Sequence, residues 1–243
     1  MTGAALVVAA FVTGILNTAS GGGAIVSFLA MTAIGTPPLT AHATSQLVTP
    51  MSFLTAARHA GQHRPAAPLL VAGCAGTVAG VAVLALTPPA TFVTVAPFVL
   101  VSAVVLVVVQ GGVKRRVDRS HPVLRPRASA VAMLACGLYA GLIGVGCGTL
   151  VLVVLGLASR WPAGSLASLM HTRNVVLLGM ALLVAAAFAT TGLVDWHAAA
   201  LLALPGIAGG WLGTKLAGHL PEPVLRAGIA ATALGGAIWM VFR

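Results

Sequence analysis

The chain states one hydrophobic unit twice, and glycine interrupts both copies at corresponding places. Gly73, Gly76 and Gly80 have the spacing of Gly206, Gly209 and Gly213, and a proline follows each set by eight residues, at Pro88 and Pro221. Upstream, each copy opens with an apolar stretch that breaks at a glycine cluster: Ser20-Gly21-Gly22-Gly23 in the first, Gly144-Val145-Gly146-Cys147-Gly148 in the second. A second apolar stretch follows, then a polar group early in a long helix, Thr44-Ser45-Gln46 or His171-Thr172-Arg173-Asn174. Two hydrophobic units, each interrupted by glycine, are the pattern of a membrane transporter with its site at the repeat interface.

Composition identifies the solvent as lipid. Hydrophobic residues make up 59% of the chain and charged residues 7%, against about 25% charged in a soluble domain. Apolar runs recur along the whole length, each long enough or nearly so to cross a hydrocarbon core of about 30 Å. This reads as an integral membrane protein with no soluble domain left over. Residues 1–10 carry neither a basic n-region nor a small-residue cleavage site, so they read as the start of a span rather than a signal peptide.

The formal charge of +10 invites a nucleic-acid reading, but its placement argues otherwise. Six of the 13 basic residues (Lys114, Arg115, Arg116, Arg119, Arg125, Arg127) sit in one polar loop between the two copies. The positive-inside rule requires that of a cytoplasmic loop, and no nucleic-acid partner is expected. Cys74, Cys136 and Cys147 lie in apolar or glycine-rich segments, where free cysteine behaves as a small buried hydrophobe. Without CxxC or Cys/His spacing, no metal and no other cofactor is expected.

The first transmembrane repeat is read at 1–110, a basic cytoplasmic connector at 111–127 and the second repeat at 128–243. A broken segment at 4–34 precedes helices near 39–59, 67–87 and 90–110; its counterpart at 129–157 precedes helices near 163–190, 197–217 and 221–241. The arms of the first break, 4–16 and 24–34, are short, since thirteen helical residues reach only about 20 Å. Charge placement gives an independent test. If both breaks are re-entrant hairpins, each copy has three full crossings, the copies are inverted, and eleven of the thirteen basic residues share one side. Single kinked crossings would move Arg160, Lys215 and Arg226 outside, so the hairpin reading satisfies the rule better. The expected fold is all-α, with two inverted repeats, each a hairpin plus three transmembrane helices, about eight membrane segments in all. The connector is cytoplasmic and both termini are outside.

Non-helical backbone at membrane depth must be buried in protein or line a wet cavity. Both glycine loops fit that condition. A loop leading into a helix presents unpaired N–H groups and the positive end of the helix dipole, which favour an anion. Gly21, Gly22 and Gly23 lead into a helix near Ala24, and Gly146, Cys147 and Gly148 into one near Thr149. Arg173 lies about ten residues into an apolar run and is costly there without a partner. The only acids are Asp118, Asp195 and Glu222, at loops or span edges, so the missing partner is read as the substrate, with snorkelling to the interface as the alternative. His42 and His171 could donate to an anion or carry a proton. Asn17, Ser20, Thr44, Ser45, Gln46, Thr172 and Asn174 offer neutral hydrogen bonds, though Ser and Thr in such helices also bond back to their own helix. Cys147 reads as the small residue that fits. The paired GxxxG steps, Gly76 to Gly80 and Gly209 to Gly213, read as helix packing without substrate contact.

In the order and spacing of these marks the chain resembles the sulfite exporter TauE/SafE family of membrane permeases, over essentially its whole length. They are Ser20 to Gly23 followed by Pro37-Pro38, Ala41-His42-Ala43-Thr44-Ser45, Gly141 through Gly148, His171-Thr172-Arg173-Asn174, Gly192 to Trp196 and the closing Gly209 to Gly213 helix. The chain departs from the pattern at Cys147, where the family usually has glycine, and at Gln46, where some members carry lysine. The resemblance implies transport of a small sulfur-containing anion, such as sulfite, sulfoacetate or a related organosulfonate, across a prokaryotic inner membrane.

The expected partners are therefore the lipid bilayer and a small anionic substrate; the sequence leaves oligomeric state open. Export by alternating access of the two repeats would be favoured by an inside-negative potential, at about 2.3 kcal/mol per charge per 100 mV. Proton-coupled uptake, with His42 or His171 as carrier, and an anion channel are the alternatives. An intramembrane serine hydrolase built on Ser20 is remote, because the second loop has no matching serine and nothing supplies a base and its orienter.

Overall fold

The computed structural model describes residues 2–19, 21–58, 67–88, 124–144, 146–158 and 166–216, with isolated positions at 91, 94, 231 and 235. The described residues form eight helices and no strand. They are α1 (Thr2–Ala19), α2 (Ala24–Ala33), α3 (Pro38–Arg58), α4 (Ala67–Ala85), α5 (Pro126–Leu142), α6 (Cys147–Ala158), α7 (Leu166–Ala189) and α8 (Trp196–Leu216). The expected helices at 90–110 and 221–241, nearly all of the connector, and Ser20 lie outside the described residues.

Local chemistry sets the boundaries. Helix α1 runs three residues past its expected arm because Thr18 stays helical, its hydroxyl donating to the carbonyls of Gly14 (3.1 Å) and Ile15 (3.2 Å). Helix α2 stops at a left-handed Gly35 (φ 96°), after which the Thr36 N–H returns to the Met31 carbonyl at 3.1 Å. The next helix starts on Pro38, and α5 on Pro126, where a missing N–H costs nothing. Helix α6 begins at Cys147, two residues before the expected Thr149.

At both breaks the chain turns back on itself. The Thr13 hydroxyl lies 2.7 Å from the Ser27 hydroxyl and accepts the Ser27 N–H at 3.1 Å. Fourteen residues of continuous helix would separate these groups by about 21 Å. In the second copy the Cys147 thiol reaches the Cys136 carbonyl at 3.5 Å, against about 16 Å in a straight helix.

The most extensive helix contacts cross between the copies: α1 packs on α8, and α4 on α5. Small residues let these backbones touch, as packing without a hydrophobic drive requires. A Cβ on Gly137 would strike the Gly73 carbonyl, and one on Gly209 the Phe11 carbonyl. The GxxxG glycines thus pack helices, as expected. Helices α3 and α7 cross between these two pairs. One core cluster gathers around Ile25, Met31 and Leu202, the other around Met133, Val151 and Leu155. Among the described residues three helices, Ala67–Ala85, Ser168–Ala189 and Trp196–Leu216, are long and apolar enough to cross a membrane. Val71, Val78 and Leu204 are more than half exposed among the described residues, as a lipid-facing surface would be.

Candidate functional site

The two glycine loops meet. The Gly148 N–H donates to the Gly21 carbonyl at 3.4 Å, and a Cβ on either residue would lie 2.5 Å from the other's Cα. Gly21 (φ 83°) and Gly146 (φ 76°) are left-handed, which glycine adopts without strain. Helices α2 and α6 start at this contact. Their first-turn N–H groups are largely taken within the protein: Ala24 donates to Asn17 Oδ1 (3.1 Å), Cys147 to the Gly144 carbonyl (3.4 Å) and Thr149 to the Gly146 carbonyl (3.1 Å). The bonds at 3.4 Å exceed the usual N–H···O range and are the weakest of the set.

A cavity of about 40 Å³ opens beside the contact, larger than the ~10–15 Å³ that holds one water. Its polar groups are Asn17, Gln46 and Thr49 with the backbone of Gly21, Gly144 and Gly148; Ala24, Phe53, Ala140, Cys147, Leu177, Met180, Ala181 and Val184 supply the rest. Among the described residues none that lines the cavity is charged. Positive potential comes from the N-terminal ends of α2 and α6.

Arg173 is fully buried one turn before Leu177 and does not line the cavity. Its Nε and one terminal nitrogen donate to Asn174 Oδ1 (3.1 and 2.7 Å), and the same terminal nitrogen donates to the Thr18 carbonyl at 2.5 Å. The other terminal nitrogen has no hydrogen-bond partner among the described residues. The partner that the acids could not supply is therefore in part the C-terminal end of α1, where a cation is favoured.

The candidates divide by position. Asn17, Gly21, Gln46, Cys147 and Gly148 are on the cavity wall. Gly22, Gly23 and Gly146 are buried in the loops. His42 is not on the wall; it sits edge-on between Phe28 and Phe188, at ring centroid distances of 6.3 and 5.7 Å. Thr44 accepts the Asp195 N–H at 3.0 Å, tying α3 to the start of α8, and the Ser45 hydroxyl faces the Met31 sulfur. His171 and Thr172 lie on α7 away from the lining, and Asn174 holds Arg173. Thr49 is a wall residue that the sequence reading passed over. It sits one turn after Gln46, and its hydroxyl donates to the Ser45 carbonyl at 2.9 Å; the i+3 spacing from Gln46 was the available signal.

Among protein families, the model described as Sulfite exporter TauE/SafE matches residues 6–240. No curated protein and no solved structure matches the chain.

Proposed function

The chain belongs to the sulfite exporter TauE/SafE family, and from that premise we propose that it exports a small sulfur oxyanion through the cavity where its glycine loops meet. The family and the apolar helices make it a multi-pass membrane protein and a transporter. The observation that carries the finer reading is the Gly21–Gly148 contact beside a small, mostly apolar cavity that carries a few polar groups. Hairpins entering from opposite faces of the membrane would meet in this way, so the contact supports two inverted repeats with the site between them.

In this reading the anion takes its hydrogen bonds from the Gln46 amide and loop N–H groups, with the long Gly148 bond released to it. The α2 and α6 dipoles supply the field. The apolar remainder of the wall keeps water out and strengthens each of those interactions. Neither His42 nor His171 lines the cavity, which favours export down the membrane potential over proton-coupled uptake.

A thermal-shift screen of the purified protein against sulfite, sulfate, thiosulfate, sulfoacetate, taurine and acetate tests this. A ligand at a hundredfold its Kd stabilises by about 2.7 kcal/mol. Stabilisation by a sulfur oxyanion and not by acetate is expected. An equal response to acetate, or no response at all, would overturn the assignment of substrate class.

A further inference from the structure

We propose that Arg173 is a positioning residue: it binds the end of α1 across the repeat interface and thereby fixes the glycine loop, without touching the anion. The proposal rests on the transport reading above and deepens it.

Three observations converge on this role. First, the guanidinium is built into a fork. Asn174 Oδ1 receives two of its N–H groups, and this orients the 2.5 Å bond to the Thr18 carbonyl, 155 residues away in the other copy. Second, the partner lies three residues before Gly21, whose backbone both lines the cavity and touches Gly148. Third, the other copy has a looser counterpart at the corresponding place. Gln46, on the third helix of the first copy, points its amide nitrogen at the Ile143 carbonyl (3.5 Å), just past the end of α5 and next to Gly144. In each copy, the third helix reaches over to the end of the other copy's first helix.

The chemistry explains why a cation stands on the α1 side. A broken helix brings a negative C-terminal end and a positive N-terminal end to one place. An anion near Gly21 would meet both. With its C-terminal carbonyl bonded to a guanidinium, α1 no longer opposes the field of α2. Arg173 thus shapes the potential and the position of the loop together, through Thr18. Lysine cannot replace it, because one ammonium does not reproduce a planar fork.

Sulfite flux in proteoliposomes reconstituted with the full chain provides the test, comparing wild type, Arg173→Lys, Arg173→Met and Asn174→Ala. The expected result is a KM raised at least tenfold in all three variants, because each dismantles the fork. Asn174→Ala keeps the charge at position 173 and is the deciding variant. If Asn174→Ala and Arg173→Lys both transport with KM within about twofold of wild type while Arg173→Met fails, Arg173 acts as a charge on the substrate and the positioning role is wrong. If Arg173→Met also retains its KM, neither role holds. A selectivity readout separates the cases further. In Asn174→Ala, which keeps the charge, loss of position penalises sulfate and methanesulfonate by the same factor, whereas displacement of a contacting charge penalises the dianion more. A variant that fails size-exclusion chromatography is replaced by Asn174→Ser, with the same KM increase expected. Folded wild type that moves none of these anions would overturn the transport reading itself, a result distinct from a variant that behaves like wild type.

Discussion

Gly21 and Gly148 leave no room for a side chain between the loops, so Gly148→Ala must part them. Overpacking of this kind costs about 1–3 kcal/mol; a lower melting temperature in detergent and loss of the sulfite-induced shift are expected. Gly21→Ala adds the left-handed penalty of about 1–2 kcal/mol and should be the worse of the two. His42→Gln is expected to leave the pH profile of flux unmoved, because the ring lies between two phenylalanines away from the cavity wall; a displaced profile in the flux assay would restore proton coupling. At this scale the sequence was partly legible. The glycines, Asn17 and Gln46 announced themselves by standing in apolar surroundings. His42 stood there too, but α3 spreads its polar residues (Thr40, Thr44, Ser45, Gln46, Thr49, Ser52) around all its sides, which gives no phase to say which way one of them points. The Thr18 carbonyl that receives Arg173 has no signature of its own, since every residue carries a carbonyl.

The described helices were legible because apolar runs and glycine breaks marked them out, although α5 starts on Pro126, three residues before the expected 129. Partners were less so. The repeated glycine spacing says that two helices approach closely but not which two, and each proves to dock on the first helix of the opposite copy. A contrast of variants checks this docking. Gly137→Ala meets the Gly73 backbone and should lower the melting temperature, by an amount equivalent to about 1–3 kcal/mol. Gly3→Ala, with open space around it, should be neutral or slightly stabilising. Equal effects in a melting experiment would show that the α4–α5 contact does not hold the fold.

For the molecule as a whole, the hairpin reading places Lys215 in the cytoplasm and Asp195 outside, at opposite ends of α8. Lys215 lies 3.8 Å from the Trp211 ring centroid, a pairing suited to a membrane interface. In intact cells an impermeant maleimide should label Asp195→Cys and spare Lys215→Cys; the reverse pattern would invert the topology. Clamping the membrane potential in proteoliposomes should accelerate outward anion flux as the interior becomes more negative. The docking of α1 on α8 and of α4 on α5 also dictates an order of assembly. Helix α1 leaves the ribosome first, yet its partner is made roughly 200 residues later, about 10–40 s at ordinary rates of synthesis. Until then its glycine face has only lipid or the insertion machinery to lie against. The two halves of this protein are thus interlocked during biogenesis, and separately expressed half-chains should mature only when both are made in the same cell.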